Sequence, residues 1–486
     1  MDTFLMLING KWVDSESRRY IEVIDPATEE TFARVPSATP AEVDQALQAA
    51  QRAFPNWGGL SPEQRGVFLW RASTILDGRK EKIGRLMTRE QGKPLKEAVG
   101  EIEKAVEMLR YYAEEGKRAY GTIVANADPS DQSFIVKQPV GVVAALSAWN
   151  YPVELIGWKA AAALAAGCTM VAKPSSQAPL SPLEYWRCLV DAGIPAGVIN
   201  CVTGSGASVG RHLVASRIPQ KIAFTGSLEV GLDILDQAKG MVRKISLELG
   251  GQCPMIISRN CDLAAAVKGA VRRSFRNMGQ ICIAINRIYV HESIYDEFLR
   301  LFAGQTEKLT IGNGLQNPDA DLGPMASLDG LQKTLLHIED ALSKGARLVC
   351  GGKKPEGPEF GKGYFFRPTV LADTNHSMLV MTEETFGPVV GVMAYRTVSE
   401  AVELANATPY GLAAYLYTND LHEMQKISKA LQAGSVAVNN VDAGIMNAAY
   451  GGWKQSGVGY EHGHEGLDEY LLLKHIRIRF REPSSA

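Results

Sequence analysis

The chain has 486 residues, 46% apolar and 21% charged, and a formal net charge of −2. That length exceeds one hydrophobic core, so two or three domains of an ordinary globular protein are expected. A near-neutral balance with no block of Lys and Arg argues against nucleic acid or acidic membrane as the main partner. The first residues, MDTFLMLINGKWVDSESRR, lack a basic segment followed by a long apolar region and a small-residue cleavage site, so export is not expected. Helical periodicity with acid–base pairs then fills 40–118, as in AEVDQALQAAQRAF and PLKEAVGEIEKAVEMLRYYAEEGKRAY. From residue 133 the texture changes to short β-rich runs alternating with helical ones. FIVKQP and VGVVAALSAW read as strands, ELIGWKAAAALAAG as a helix, TMVAKP as a strand and LEYWRCLVDAG as a helix. A strand at VINCVTG, a helix from ASVGRHLVAS and a strand at KIAFTG follow. Such alternation implies parallel strands with crossover helices, hence a doubly wound, Rossmann-like α/β layer. The Ala-rich helix contains Lys159 and is too short to span a bilayer.

After LELGG (247–251) a second alternating series, with PMIIS, RIYVHES, YDEFLRLFAG and VVGVMAY, runs to about residue 450. The tail EYLLLKHIRIRF alternates apolar and basic residues at period two, as a half-exposed strand does, and needs a partner strand. SFIVKQ (133–138) is a candidate, with pairing to another subunit as a reason for both.

Seven cysteines, widely spread and without a C-x-x-C pair, argue against a disulfide framework and against a zinc site, and fit a reducing cytosol. No metal is expected. His462 and His464 read as part of a solvated loop. One thiol, Cys282 in RNMGQICIAINR, reads equally well as a core residue, a ligand, half of a disulfide or a nucleophile. VTGSGASVG (202–210) and FTGSLEVG (224–231) put small residues where a strand meets a helix, open to a phosphate, though neither is a G-x-G-x-x-G fingerprint. Glu248 in LELGG is either a helix cap or salt-bridge partner, or a general base raised in pKa by burial. Asn150 in SAWNYP is either a turn-former or an oxyanion donor beside a thiol.

In this order and at these separations, SAWNYP, VAKPS, FTGS, LELGG, GQIC, EETFGPV and GGWKQSGVG resemble the aldehyde dehydrogenase superfamily, over essentially the whole chain. The resemblance implies a cofactor domain over 1–122 and 139–249, a catalytic α/β domain over 250–450, and oligomerisation strands at 123–138 and 468–486. Residues 451–467 would return to the cofactor domain and the active-site tunnel. It implies Cys282 as nucleophile, Asn150 with the Cys282 N–H as oxyanion donors, Glu248 as base for the water that hydrolyses a thioester, and Lys159 with Glu461 as a proton relay. For NAD or NADP it places Trp149, Gly226 and Ser227 at the pyrophosphate, Lys173 and position 176 at the adenosine ribose, and Glu384 and Phe386 at the nicotinamide. Gly206, Gly210, Phe224, Gly231 and Leu249 complete the implied dinucleotide site. Strongly NAD-selective members often carry a glutamate where this chain has Ser176, so NADP is expected to be accepted at least comparably.

For the aldehyde, FRNMGQIC and GKPLKEA resemble succinate-semialdehyde dehydrogenases, in which Arg276 would meet the substrate carboxylate. Two further arginine positions of that group are Trp158 and Tyr460 here, which weakens a carboxylate site. Tyr151, Trp158 and Tyr450 match tunnel-lining aromatic positions, flanked by Ile281 and Ile283. The expected activity is NAD(P)-dependent oxidation of a semialdehyde or a medium-sized or aromatic aldehyde, by a homodimer or homotetramer. A CoA-acylating semialdehyde dehydrogenase is disfavoured by Glu248, and a cysteine hydrolase by the lack of a histidine in a motif with Cys282.

Overall fold

Helix starts in the N-terminal third are written into the sequence. In the computed structural model, which describes residues 1–480, helices span Pro40–Gly58, Pro62–Gly78, Lys80–Gln91 and Leu95–Glu115. Thr39 and Ser61 accept from the third helical N–H, while Glu42 and Gln64 return a bond to the cap's own N–H. Proline at the first position of each costs no hydrogen bond there. The Leu95–Glu115 helix buries a stripe through Ala98, Ile102, Ala105, Leu109 and Tyr112, and packs on the Pro152–Ala166 helix. That second helix is buried at every position but Glu154, which explains its alanine content: only small side chains let backbones on all sides approach.

The central sheet has eight strands, in the order Gly457–Val458, Lys244–Glu248, Lys221–Thr225, Val142–Leu146, Thr169–Lys173, Ile199–Cys201, Met6–Ile8 and Lys11–Val13. Its inner five strands run parallel. From Val142–Leu146 the chain winds outward to Ile199–Cys201, then jumps back to Lys221–Thr225 on the other side. The switch point therefore lies between Val142–Leu146 and Lys221–Thr225, and a crevice opens at their carboxyl ends. A seven-stranded sheet, mostly parallel, contains Cys253–Ile257, Ile285–His291 and Val389–Tyr395 among its strands. The chain passes from one sheet to the other through Leu249–Gln252.

The strand expected at 133–138 runs Asp131–Pro139 and pairs antiparallel with Leu471–Arg479 over all nine residues. The expectation of a half-exposed terminal strand needs correction. Every residue from Leu472 to Arg479 is exposed. Residues 481–486 of the proposed oligomerisation segment lie outside the described residues. The helix expected at ASVGRHLVAS is present, opening as a π-helical turn at Gly206–Gly210 that runs straight into the α-helical turn Arg211–Ala215. Glycines at both ends of the turn, with Ser205 capping Ser208 N–H, favour the wider turn over a regular helix. Among the described residues no helix is long and apolar enough to cross a membrane.

Candidate active site

Cys282 sits at the end of a loop that the sequence forces out of ordinary helix. Asn277 (φ 48°), Met278 (φ 58°) and Gly279 (φ 69°) are consecutive left-handed residues, a conformation costly for the first two. Buried side-chain bonds hold it. Asn277 Nδ2 donates to the Asn150 carbonyl (3.1 Å), and Gln91 Nε2 donates to Asn277 Oδ1 (3.1 Å). At Gly279 a Cβ would stand 2.2 Å from the Gly387 carbonyl oxygen, so the Cys282 loop and the Glu384–Gly387 loop touch backbone to backbone.

Asn150 is buried and its Nδ2 donates to the Gln280 carbonyl at 3.0 Å, two residues before Cys282. Its own carbonyl is gripped by Lys93 Nζ (2.7 Å), which forms a fully buried ion pair with Glu101. Glu101 Oε1 in turn accepts from the N–H groups of Val153 (2.9 Å) and Glu154 (3.0 Å), capping a helix whose own N-cap residue, Tyr151, offers no side-chain bond.

Cys282 itself is half-buried, with its Sγ 3.4 Å from the Tyr450 hydroxyl. Burial pushes its thiol up to about 12; the Tyr450 hydrogen bond opposes this, and the Glu384 and Glu248 carboxylates add to the rise. Glu248 is neither a helix cap nor a salt-bridge partner: both carboxylate oxygens are buried without a hydrogen-bond partner. Desolvation holds it well above the usual carboxylate range, the Glu461 carboxylate raises it further, and Lys159 pulls it back. Lys159 Nζ reaches both Glu461 and Thr225 Oγ1 (2.6 Å), in a buried cluster beside the Glu248 strand.

A cavity of about 370 Å³ opens at the switch point and ends on Cys282. Trp149, Phe224, Gly226, Ser227, Leu249, Glu384 and Phe386, all expected at a dinucleotide, line it together with Asn150. Trp149 and Phe386 meet edge to face at 5.5 Å across it. Ser227 caps the Leu228–Ala238 helix, so free N–H groups and the positive end of its dipole face the cavity mouth. Glu384 accepts from Gly251 N–H (2.9 Å), and burial raises its carboxyl to about 7. Lys333, whose ammonium donates to the Glu384 carbonyl (2.5 Å), also lines the cavity. It escaped sequence reading because a lysine on an exposed helix carries no local signal.

Lys173, Ser176, Gly206, Gly210 and Gly231 lie outside that lining. Lys173 is nevertheless close to it: its stem is 3.7 Å from the place of a Cβ at Gly210, and among the described residues its Nζ donates only to the Pro174 carbonyl (3.1 Å). Burial without a carboxylate partner lowers it to about 8. Ser176 Oγ donates to the Gly204 carbonyl (2.9 Å). A buried ammonium with no carboxylate partner among the described residues, a helix N-terminus and two rings across a cleft suit a nicotinamide dinucleotide.

On the aldehyde side, Trp158 and Tyr450 meet edge to face at 5.5 Å, and Ile281 is buried beside the half-buried Ile283. Tyr151 is buried and donates through its hydroxyl to Glu97 (2.7 Å). Arg276, like Tyr151, Trp158 and Tyr450, does not line the dinucleotide cavity. Its Nε donates to the same Glu97 oxygen (2.8 Å), and it faces a separate groove with Arg272 and Lys268. The solvated-loop reading of His462 is overturned. It is buried, at φ 62° and ψ 171°, with its ring 4.3 Å from Trp158 and 5.4 Å from Tyr450. Trp158 is distant in sequence and Tyr450 reaches the ring only by the chain's return, so a pair of nearby histidines gave no hint of them. His464 remains half-exposed, against Glu115 (2.7 Å).

Residues 12–476 match the model of the aldehyde dehydrogenase family. The chain is 41% identical over 472 residues to the NADP(+) succinate-semialdehyde dehydrogenase GabD of Escherichia coli, covering 97% of each. It is equally 41% identical to a glutarate-semialdehyde dehydrogenase of Pseudomonas putida, again over 97% of each chain. The betaine aldehyde dehydrogenase of Staphylococcus aureus in complex with NAD+ superposes with a TM-score of 0.96 at 34% identity, over 99% of this chain and 96% of that one.

Proposed function

The chain belongs to the aldehyde dehydrogenase family and oxidises an aldehyde with NAD or NADP; on that premise we propose that the reaction runs through a covalent adduct on Cys282. The observation that supports this reading is the convergence of Cys282 and Asn150 on one cavity at the switch point, with the Glu248 carboxyl acting on the thiol from beside it. Glu248 takes the Cys282 thiol proton, the thiolate adds to the aldehyde carbon, and the oxygen that gains charge takes hydrogen bonds from the Asn150 amide and the Cys282 N–H. The bound dinucleotide supplies the hydride acceptor. Glu248 then takes a proton from water, whose oxygen attacks the thioester carbonyl, releasing the acid and the thiolate. Glu461 and Lys159 carry each proton away from Glu248.

Trp149, Phe386 and Glu384 hold the nicotinamide half of the dinucleotide, Gly226 and Ser227 its pyrophosphate, and Lys173 and Ser176 the adenosine ribose. No carboxylate stands at position 176 to repel a 2′-phosphate, so NADP serves at least as well as NAD. An NAD preference of a hundredfold in kcat/KM would contradict this. The 1–122 and 139–249 segments form the cofactor unit, 250–450 the catalytic unit, and 451–467 the return to the tunnel. The exposed terminal strand seats a second subunit in a cytoplasmic homodimer or homotetramer.

For the substrate we propose a medium-length aldehyde with a neutral, apolar or aromatic body. Arg276 is already paired with Glu97, and the tunnel side presents Trp158, Tyr450 and Ile281. A carboxylate placed among such groups loses its hydration without a free cation to replace it. A semialdehyde is the second reading, favoured by the likeness to succinate- and glutarate-semialdehyde dehydrogenases. Measuring kcat/KM for succinic semialdehyde, pentanal and benzaldehyde with both cofactors decides between them. Neutral aldehydes equal to or better than succinic semialdehyde are expected; a large advantage for the semialdehyde overturns the first reading.

A further inference from the structure

Among the described residues the Tyr450 hydroxyl has one side-chain partner, Cys282 Sγ at 3.4 Å. The phenol is placed by more than this contact. Tyr450 N–H donates to the Glu461 carbonyl and Glu461 N–H donates to the Tyr450 carbonyl, both at 2.7 Å, so its backbone is clamped to the segment that carries the Lys159 partner. Trp158 meets its ring edge to face, and His462, held in a backbone region suited to glycine, packs against both rings. Tyr450 is 3% exposed. We propose that Tyr450 is a catalytic residue as well as a tunnel wall: its hydroxyl donates a hydrogen bond to the Cys282 thiolate and keeps its proton throughout. This rests on the reading of Cys282 as nucleophile.

The chemistry of the surroundings requires such a donor. The groups facing Cys282 are the carboxylates of Glu248 and Glu384, the Cys253 thiol and the phenol of Tyr415, whose hydroxyl is already donated to the Ile283 carbonyl (2.7 Å). The carboxylates repel a thiolate, and Lys333, which lines the same cavity, already donates its ammonium to the Glu384 carbonyl (2.5 Å). A half-buried sulfur anion beside two carboxylates depends on hydrogen bonds from neutral donors, its own N–H and the Tyr450 hydroxyl. Burial and the neighbouring acids hold the Tyr450 phenol far above its ordinary range, so it stays protonated and able to donate.

The test is the pH dependence of alkylation of the intact protein by iodoacetamide, followed at Cys282 by peptide mass mapping alongside residual turnover. Tyr450→Phe keeps the ring and removes the hydroxyl. Its alkylation midpoint is expected about one pH unit higher, so labelling at a fixed pH below the midpoint slows roughly tenfold. Difluorotyrosine at position 450 keeps the hydroxyl and makes it a stronger donor; the midpoint is expected to fall. If alkylated Cys282 still supports turnover, the nucleophile reading fails and the proposal with it. If alkylation stops turnover but the midpoint is unmoved in Tyr450→Phe, or in the fluorinated protein, only the role of the hydroxyl is overturned.

Discussion

Cys282 and Glu248 have the same problem, a charge wanted where burial opposes it, and the two solutions differ. The thiol needs its anion for one step and has the Tyr450 hydroxyl within reach. The carboxyl has no hydrogen-bond partner, and its proton is held by burial and by the Glu461 charge. Cys282→Ala should therefore lower turnover by several orders of magnitude while leaving dinucleotide binding, measured by fluorescence titration, unchanged. Glu248→Gln should give one burst of reduced cofactor per site and then a steady rate lower by about 10²–10⁴-fold, because acylation precedes the water step. The sign of the pH dependence follows from the raised Glu248 pKa. A protonated base is inactive, so the deacylation rate climbs as pH rises through a midpoint above the ordinary 4.5. Stopped-flow measurements over that range should show the climb in the wild type and its loss in Glu248→Gln.

Elements meet at the site through buried polar groups rather than through apolar packing alone. Glu101, on the Leu95–Glu115 helix, caps the Pro152–Ala166 helix and neutralises Lys93, which fixes the Asn150 carbonyl. Glu90 does the same for the Leu180–Asp191 helix, accepting from Leu180 N–H (2.6 Å) and Ser181 N–H (2.8 Å). Replacing Glu101 by alanine leaves an unpaired buried ammonium and two orphaned helix N–H groups. The expected loss is about 3–5 kcal/mol, visible as a lower denaturation midpoint. Turnover should fall as well, since Asn150 loses its hold. Glu101 carried no sequence signal, because an i, i+4 pattern of Glu and Lys on a helix reads as a solvated face. The Gly279–Gly387 contact was equally silent, although both glycines lie in motifs that the resemblance had picked out.

At the scale of the whole molecule, the nine-residue ladder of Asp131–Pro139 with Leu471–Arg479 stands out from the two large sheets. This three-stranded ribbon exposes Leu473, Ile476 and Ile478, an apolar edge on which the proposed second copy would seat. Ile476→Asp with Ile478→Asp should shift sedimentation velocity toward monomer while a monomeric fraction keeps its Cys282 reactivity; an unchanged oligomer contradicts that interface. The sequence by itself determined the alternation of strands and helices, the seven ordered motifs and, through them, the family, because period and spacing are local properties that survive without coordinates. Burial was decided only by the tertiary structure. It turned His462 from a loop residue into part of an aromatic box, committed Arg276 to Glu97, and brought the Tyr450 hydroxyl to the Cys282 sulfur. Each of those facts depends on which distant segments share a space, and no linear pattern encodes it.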